Sequence, residues 1–263
     1  MSWAKAPSEI ELGFDSKLLN GRAGLDVTYY SKTTHDALLP VAVPPSTGFA
    51  GTRLENLGTI SNKGFEVLLT LIPIDFKQLN VETTLALSTN DNKLVSFGDD
   101  RAPIIFGTYA PTQRYQEGFP LGAMWAQRVQ YNPDGTLLKV AGRPVLQAES
   151  IYMGPSVPTK EASFSTGIRF FERFRFFGLA DYKGGYYQFN VKDWRRDRAL
   201  VSWETANPEA DPDVVLARSF ASQTWFHVQK ADFVKLRDLS LSYDVPTQLL
   251  GRAADRATIT VAG

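Results

Sequence analysis

The sequence predicts an all-β protein: an antiparallel, up-and-down sheet of the kind that builds the wall of a transmembrane β-barrel, with long loops on one edge. Three observations lead there. Hydrophobic and polar residues alternate with period two through segment after segment, as in Leu239, Leu241 and Tyr243 against Asp238, Ser240, Ser242 and Asp244. Several of these segments exceed the about 5–6 residues of a typical globular strand and reach the about 9–11 needed to cross a bilayer when tilted. The connections between them alternate short and long, which in an up-and-down sheet puts all short turns on one side and all long loops on the other.

Taken in order, Glu9 to Phe14 reads as a short strand closed by the Asn20-Gly21 turn signal, and residues 21–32 as its longer partner, with Leu25, Val27 and Tyr29 on one face. A loop with Pro40, Pro44 and Pro45 follows. Residues 59–72 return as a strand with Phe65, Val67, Leu69 and Leu71 on the oily side. A turn is expected at residues 73–76, and then a partner over residues 77–90. The segment from 91 to 159 is too long for a bare connector and should hold structure of its own, including a small hairpin around Asn132-Pro133-Asp134-Gly135. Residues 160–170 and 174–187 read as the next pair, the second so rich in aromatics that either face could be the oily one. Residues 188–230 form another long polar connection. The strand over 231–245, a short connection with a possible helical turn, and a last strand from Arg256 to Val261 complete about eight strands, on the barrel reading.

Composition narrows the function. The chain has 28 basic and 28 acidic side chains, hence no net charge to attract nucleic acid. It has no Cys and only two His, His35 and His227, which excludes thiolate metal sites, disulfides and Cys nucleophiles. No run of about 18 apolar residues offers a spanning helix, which leaves a spanning barrel open. The amino-terminal residues lack a secretory signal pattern, so the sequence reads as cytosolic or as an interior piece of a longer chain.

Three stretches carry a resemblance: ELGFDSKLLNGRAGLDVTYY, DALLPVAVPPSTGFAGTRLENLGTISNKGFEVLL and FVKLRDLSLSYDVP. With their order and spacing, and above all the pair Asn56-x-Gly58 and Asn62-x-Gly64-Phe65-Glu66, the chain resembles the carboxy-terminal barrel region of the SusC/RagA family of TonB-dependent outer-membrane receptors. The resemblance implies residence in the bacterial outer membrane and a barrel of about 22 strands, plugged by an amino-terminal domain. It further implies import of oligosaccharides or peptides with a SusD-like surface lipoprotein, and contact with TonB through regions outside this chain. On that reading residues 1–263 are a partial barrel without plug, with a structured extracellular loop region at 91–159 and a second long loop at 188–230. Its partners are the rest of the barrel and plug, the lipoprotein, the ligand and outer-membrane lipid. No cofactor, metal or enzymatic activity is expected.

Candidate ligand contacts are the loop aromatics Tyr109, Tyr115, Trp125, Trp194 and Trp203, whose flat faces suit sugar rings; packing the loops together is the competing use. Trp225 and Tyr243 suit an interfacial aromatic girdle better. Asp26, Glu66, Asn80, Glu82, Ser240 and Ser242 are expected to face the lumen. The spacing of Asn207, Glu209, Asp211 and Asp213 suggests a Ca²⁺ loop but lacks the glycine and closing glutamate of an EF-hand, so a solvated acidic loop is the better reading, as it is for Asp99-Asp100-Arg101. Lys192 to Arg198 could hold an anion, yet its interspersed Asp favours a self-neutralised surface. The alternatives are a soluble β-sandwich carbohydrate-binding module, and a glycosidase using Glu66 and Glu82. The sandwich would bury the oily face against a second sheet.

Overall fold

The computed structural model describes residues 7–43, 46, 48, 51–56, 58–98, 100–251 and 254–263, so Pro44, Pro45 and Asp99 lie outside the described residues. β1 (Ser8–Leu18) and β2 (Ala23–His35) form a first hairpin. A small hairpin of β3 (Leu38–Ala42) and β4 (Thr52–Asn56) leads to β5 (Thr59–Phe76) and β6 (Leu79–Ser96). A long excursion then holds β7 (Ile104–Phe106), β8 (Gln113–Tyr115), β9 (Ala123–Ala126), β10 (Lys139–Val140), β11 (Arg143–Pro144) and β12 (Ile151–Gly154). The chain returns through β13 (Lys160–Phe170) and β14 (Phe174–Gly184). A second excursion carries β15 (Tyr187–Phe189), α1 (Val191–Arg198), α2 (Trp203–Ala206), α3 (Pro212–Ser219) and β16 (Val228–Lys230). β17 (Phe233–Asp244), the short α4 (Thr247–Leu250) and β18 (Thr258–Ala262) complete the order.

The main sheet has eight antiparallel strands in the order β1-β2-β5-β6-β13-β14-β17-β18, so sequence neighbours pair throughout and the sheet runs up and down. Short turns join β1 to β2, β5 to β6, β13 to β14 and β17 to β18, and the long excursions all leave from the opposite edge.

Register sorts the side chains. Directly opposed residues share a face, and the row Asp15, Asp26, Leu68, Ala86, Ser163, Asp181, Lys235 runs across seven strands beside the row Phe14, Val27, Val67, Leu87, Ala162, Tyr182, Val234. The six polar residues Asp26, Glu66, Asn80, Glu82, Ser240 and Ser242 all lie on the first of these faces. The same registers decide the aromatic strand: Phe174, Phe176 and Tyr182 stand with Phe170, Ile168 and Ala162 on the oily side, and Phe177, Asp181 and Lys183 on the wet side.

The oily face is bare. Phe14, Phe65, Phe164, Leu241 and Val261 are each between 46% and 72% exposed, and among the described residues no second sheet lies over them. A β-sandwich would bury this face, so that alternative fails. The wet face is laced with ion pairs: Arg237 forks onto Asp181 at 2.7 and 2.8 Å, Lys183 meets Glu161 at 3.0 Å, and Arg175 meets Asp244 at 2.8 Å. Buried hydrophobic side chains gather instead at the long-loop end, in clusters around Leu94 and Phe97, Met124 and Val228, and Val129 and Leu137.

The expected turn at residues 73–76 is corrected. β5 runs on through Pro73 to Phe76, and the turn sits at Lys77-Gln78. The register slips between Leu71 and Ile74, so Ile72 and Pro73 form a bulge in which proline has no ladder N–H to lose.

The two motif glycines have a steric reason. Gly58 has φ +69° and a Cβ built on it would lie 1.8 Å from the Ser96 carbonyl oxygen; one built on Gly64 would lie 2.0 Å from the Thr89 carbonyl oxygen and 2.6 Å from the Tyr30 hydroxyl. Gly58→Ala should therefore destabilise the β4–β5 corner by at least about 1–2 kcal/mol from the left-handed backbone alone. A fall in the thermal unfolding midpoint of the protein reads this out, and an unchanged midpoint contradicts it.

Candidate functional site

The long-loop end is a built layer. β12, β9, β8 and β7 make a four-stranded sheet, and β15 pairs with β16 beside it. Three helices form here despite weak hydrophobic periodicity, because their ends are capped. Asn190 accepts the Asp193 N–H at 3.1 Å at the start of α1, whose last turn carries Arg195, Arg196 and Arg198 at the negative end of the helix dipole. Asp211 caps α3 through the Asp213 N–H at 2.8 Å, with Pro212 in the first turn. The first half of the acidic run, with Asn207 and Glu209 exposed in a turn, is the solvated loop expected, while Asp211 and Asp213 start a helix. Asp213 accepts from Lys139 Nζ at 2.6 Å and from the Leu137 N–H at 3.1 Å, which hold its carboxyl below the usual range. Among the described residues no cluster of acidic or His side chains could hold a metal.

The two excursions meet at Gln127. Its N–H donates to the Thr224 hydroxyl at 2.8 Å, its carbonyl accepts the N–H groups of Thr224 and Trp225, and its side-chain oxygen accepts from the Ser150 hydroxyl at 2.8 Å. Beside this seam lies a cavity of about 550 Å³, lined by Tyr109, Pro111, Arg114, Gln127, Ser150, Trp194, Arg198, Ser222 and Thr224 among others, with no carboxylate in its wall.

Of the sequence-predicted aromatics, Tyr109 and Trp194 line this cavity. Tyr109 is half exposed with the Arg195 guanidinium 4.8 Å from its ring centre. Trp194 is buried, its indole N–H donating to the Ala221 carbonyl at 3.3 Å and its ring flanked by Phe189 and Arg198. Trp125 is buried one step back, enclosed by Arg114, Phe119 and Tyr152. Tyr115 packs on Phe106 at 4.6 Å and against the Leu94 cluster, where burial pushes its hydroxyl pKa up. Trp203 stands on α2, 83% exposed and apart from the cavity. Trp225 also departs from the girdle reading: it packs into the loop layer against Met124 and Val228, under Arg128. Tyr243 sits with Phe174 and Phe170 near the short-turn end, where a girdle belongs.

Sequence reasoning missed one cluster. His227 and Asp197 are both fully buried, with Nε2 2.9 Å from Asp197 Oδ2, and the Arg218 guanidinium lies 2.9 Å from that same oxygen. The pair joins α1, α3 and the approach to β16. Among the described residues the His227 Nδ1 has no hydrogen-bond partner, so no Ser or Thr hydroxyl engages it as in a Ser-His-Asp triad. The Glu66 and Glu82 pair is no catalytic dyad either. Glu66 opposes Ser88, six residues along β6 from Glu82, roughly 20 Å at strand rise and well beyond glycosidase spacing.

No family model matches the chain. Among proteins of known sequence it is similar to TonB-dependent receptor P26 of Formosa agariphila, 34% identical over 98 residues, which are 37% of this chain and 10% of the relative. TonB-dependent receptor P3 of the same organism is 24% identical over 96% of this chain and 28% of its own length, and SusC of Bacteroides thetaiotaomicron 24% identical over 51% and 14%. The RagAB peptide importer in its closed-closed state superposes on the whole chain with a TM-score of 0.79 at 19% identity, using 31% of its own length. In sequence the chain is similar to TonB-dependent receptors, SusC among them, and in fold to the RagAB importer. Receptors of that kind sit in the outer membrane, where the outer face of a barrel wall is apolar, as the bare oily face of this sheet is. The chain spans 10% to 28% of the length of these relatives.

Proposed function

We propose that this chain supplies part of the wall and the extracellular loop layer of an outer-membrane importer of oligosaccharides or peptides. One observation carries the reading: a sheet with an uncovered apolar face on one side and an ion-paired polar face on the other. In this reading Asp26, Glu66, Asn80, Glu82, Ser240 and Ser242 line a wet lumen that a plug from elsewhere in the receptor fills, and TonB acts on that plug. Residues 91–159 and 188–230 face the outside, where Tyr109 and Trp203 offer the most open rings to a ligand and Tyr115, Trp125 and Trp194 support them. A SusD-like lipoprotein closes over this layer. Its support is the likeness in sequence to SusC and in fold to RagAB, a peptide importer.

A receptor-deletion strain complemented with the parent receptor, or with one whose residues 185–232 are replaced by a short Gly-Ser turn, tests the proposal. Uptake of labelled oligosaccharides or peptides should require the receptor and fail with the shortened loop, while both forms remain in the outer-membrane fraction. Uptake that is indifferent to the receptor overturns it.

A further inference from the structure

The cavity between the two loop excursions is positively charged and unneutralised. Arg114 on β8 is half-buried and Arg198 ends α1, and both line it. Among the described residues neither has a carboxylate within salt-bridge reach, although the chain as a whole has as many acids as bases. Several guanidinium groups outside the cavity are matched, Arg237 with Asp181, Arg175 with Asp244, Arg218 with Asp197 and Arg101 with Glu55, and Arg114 differs from the solvated unpaired ones in being half-buried.

Arg114 is the more demanding of the two. Its Nε is buried with no hydrogen-bond partner, and desolvation by burial lowers its pKa. A guanidinium taken out of water without a counter-charge is costly unless something offsets it. Trp125, whose ring centre lies 4.7 Å from the Arg114 Cζ, holds the fork in position but supplies no acceptor. Arg198 is fixed in the same way over Trp194, at 4.6 Å. Two positioned forks thus share one cavity whose remaining polar lining, Gln127, Ser150, Ser222 and Thr224, is neutral and suits hydroxyl or amide groups.

We propose that this cavity is an anion subsite that seats a carboxylate of the ligand between Arg114 and Arg198, with the neutral body of the ligand against Tyr109 and the Gln127 seam. Carboxylate is the chemistry a guanidinium fork matches with two parallel hydrogen bonds. Two sources share it: a uronic-acid residue of an oligosaccharide and the carboxy terminus of a peptide. The inference rests on the import reading for the origin of the ligand, but its test does not depend on uptake.

Calorimetric titration of the purified full-length receptor in detergent decides it, with two matched pairs of probes: trigalacturonate against neutral galactotriose, and trialanine against its C-terminal amide. The charged member of one pair should bind roughly tenfold or more tightly than its neutral counterpart, and that pair identifies the source. Arg198→Gln, a change at an exposed side chain, should remove most of the preference; Arg114→Lys should retain the charge but lose the fork and bind in between. Raising the salt concentration should weaken only the charged probe. Equal binding within both pairs, no binding by either charged probe, or a preference that survives both substitutions overturns the subsite. A receptor that shows the preference yet imports neither probe would instead overturn the import reading and leave the subsite standing.

Discussion

Phe164→Arg should cost the assembled receptor about 2–4 kcal/mol, the penalty for an arginine near the bilayer midplane on the lipid face of a barrel. Phe164 lies midway along β13, 47% exposed, between Leu85 and Ala180 on the oily face. On a water-exposed surface the same replacement would fall within about 0.5 kcal/mol of neutral, because an exposed phenylalanine gives up little when it is removed. The neighbouring Ser165→Arg supplies the control. Ser165 opposes Thr84 and Leu179 on the wet face, so an arginine there remains hydrated. Urea unfolding of the two variants in lipid vesicles, together with their yield in the outer-membrane fraction, should separate them clearly. Equal tolerance of both would mean that the face marked out by Phe14, Phe65 and Phe164 does not meet lipid.

Asp197→Ala should loosen the loop layer by about 3 kcal/mol while leaving the wall intact. Removing one partner of a buried ion pair costs about 3–5 kcal/mol because the other charge remains buried and unpaired. The lower figure applies because Arg218 is 17% exposed and keeps Glu204 at 3.7 Å. Hydrogen exchange should accelerate in α1 and α3 and stay unchanged in β5, β6 and β13. Uniform acceleration throughout the chain would refute the local role. The same cluster sets a pH dependence. Burial lowers the His227 pKa and outweighs the hydrogen bond that its Nε2–H donates to Asp197, which acts in the opposite direction. The folded loop therefore holds a neutral imidazole, and the unfolded loop binds more protons from about pH 6.5 down to the lowered value. Stability of the layer should be full above about pH 6.5 and decline as pH falls through that window. His227→Gln should flatten this decline.

The wall was legible in the sequence because its physics is local. Period-two alternation is a property of consecutive residues, and in β2, β6 and β17 it placed Asp26, Glu82 and Ser240 on one face with no need of a neighbouring strand. Gly58 and Gly64 stood out in the sequence only through the resemblance their motif carries, and the close approach that requires them came from the structure. The end of β5 was not: Pro73 read as a turn because proline ends most strands, and only pairing with β6 revealed a bulge that accommodates it. The helices of the second excursion were hidden for a different reason. VKDWRRDR is charged on nearly every side, and α1 owes its formation to the Asn190 cap and to Asp197 engaging Arg218 and His227 from other segments.

The sequence by itself determined a two-faced antiparallel wall and the side of it on which the long loops lie, since strand periodicity and connection length are read along one dimension. Only the tertiary structure decided which face of β14 is oily, that Trp125 and Trp194 are enclosed by their neighbours, and that Arg114 and Arg198 converge on one cavity without a carboxylate. Those are relations between residues far apart in the chain, and their energies depend on distance and burial, neither of which exists until the segments have packed.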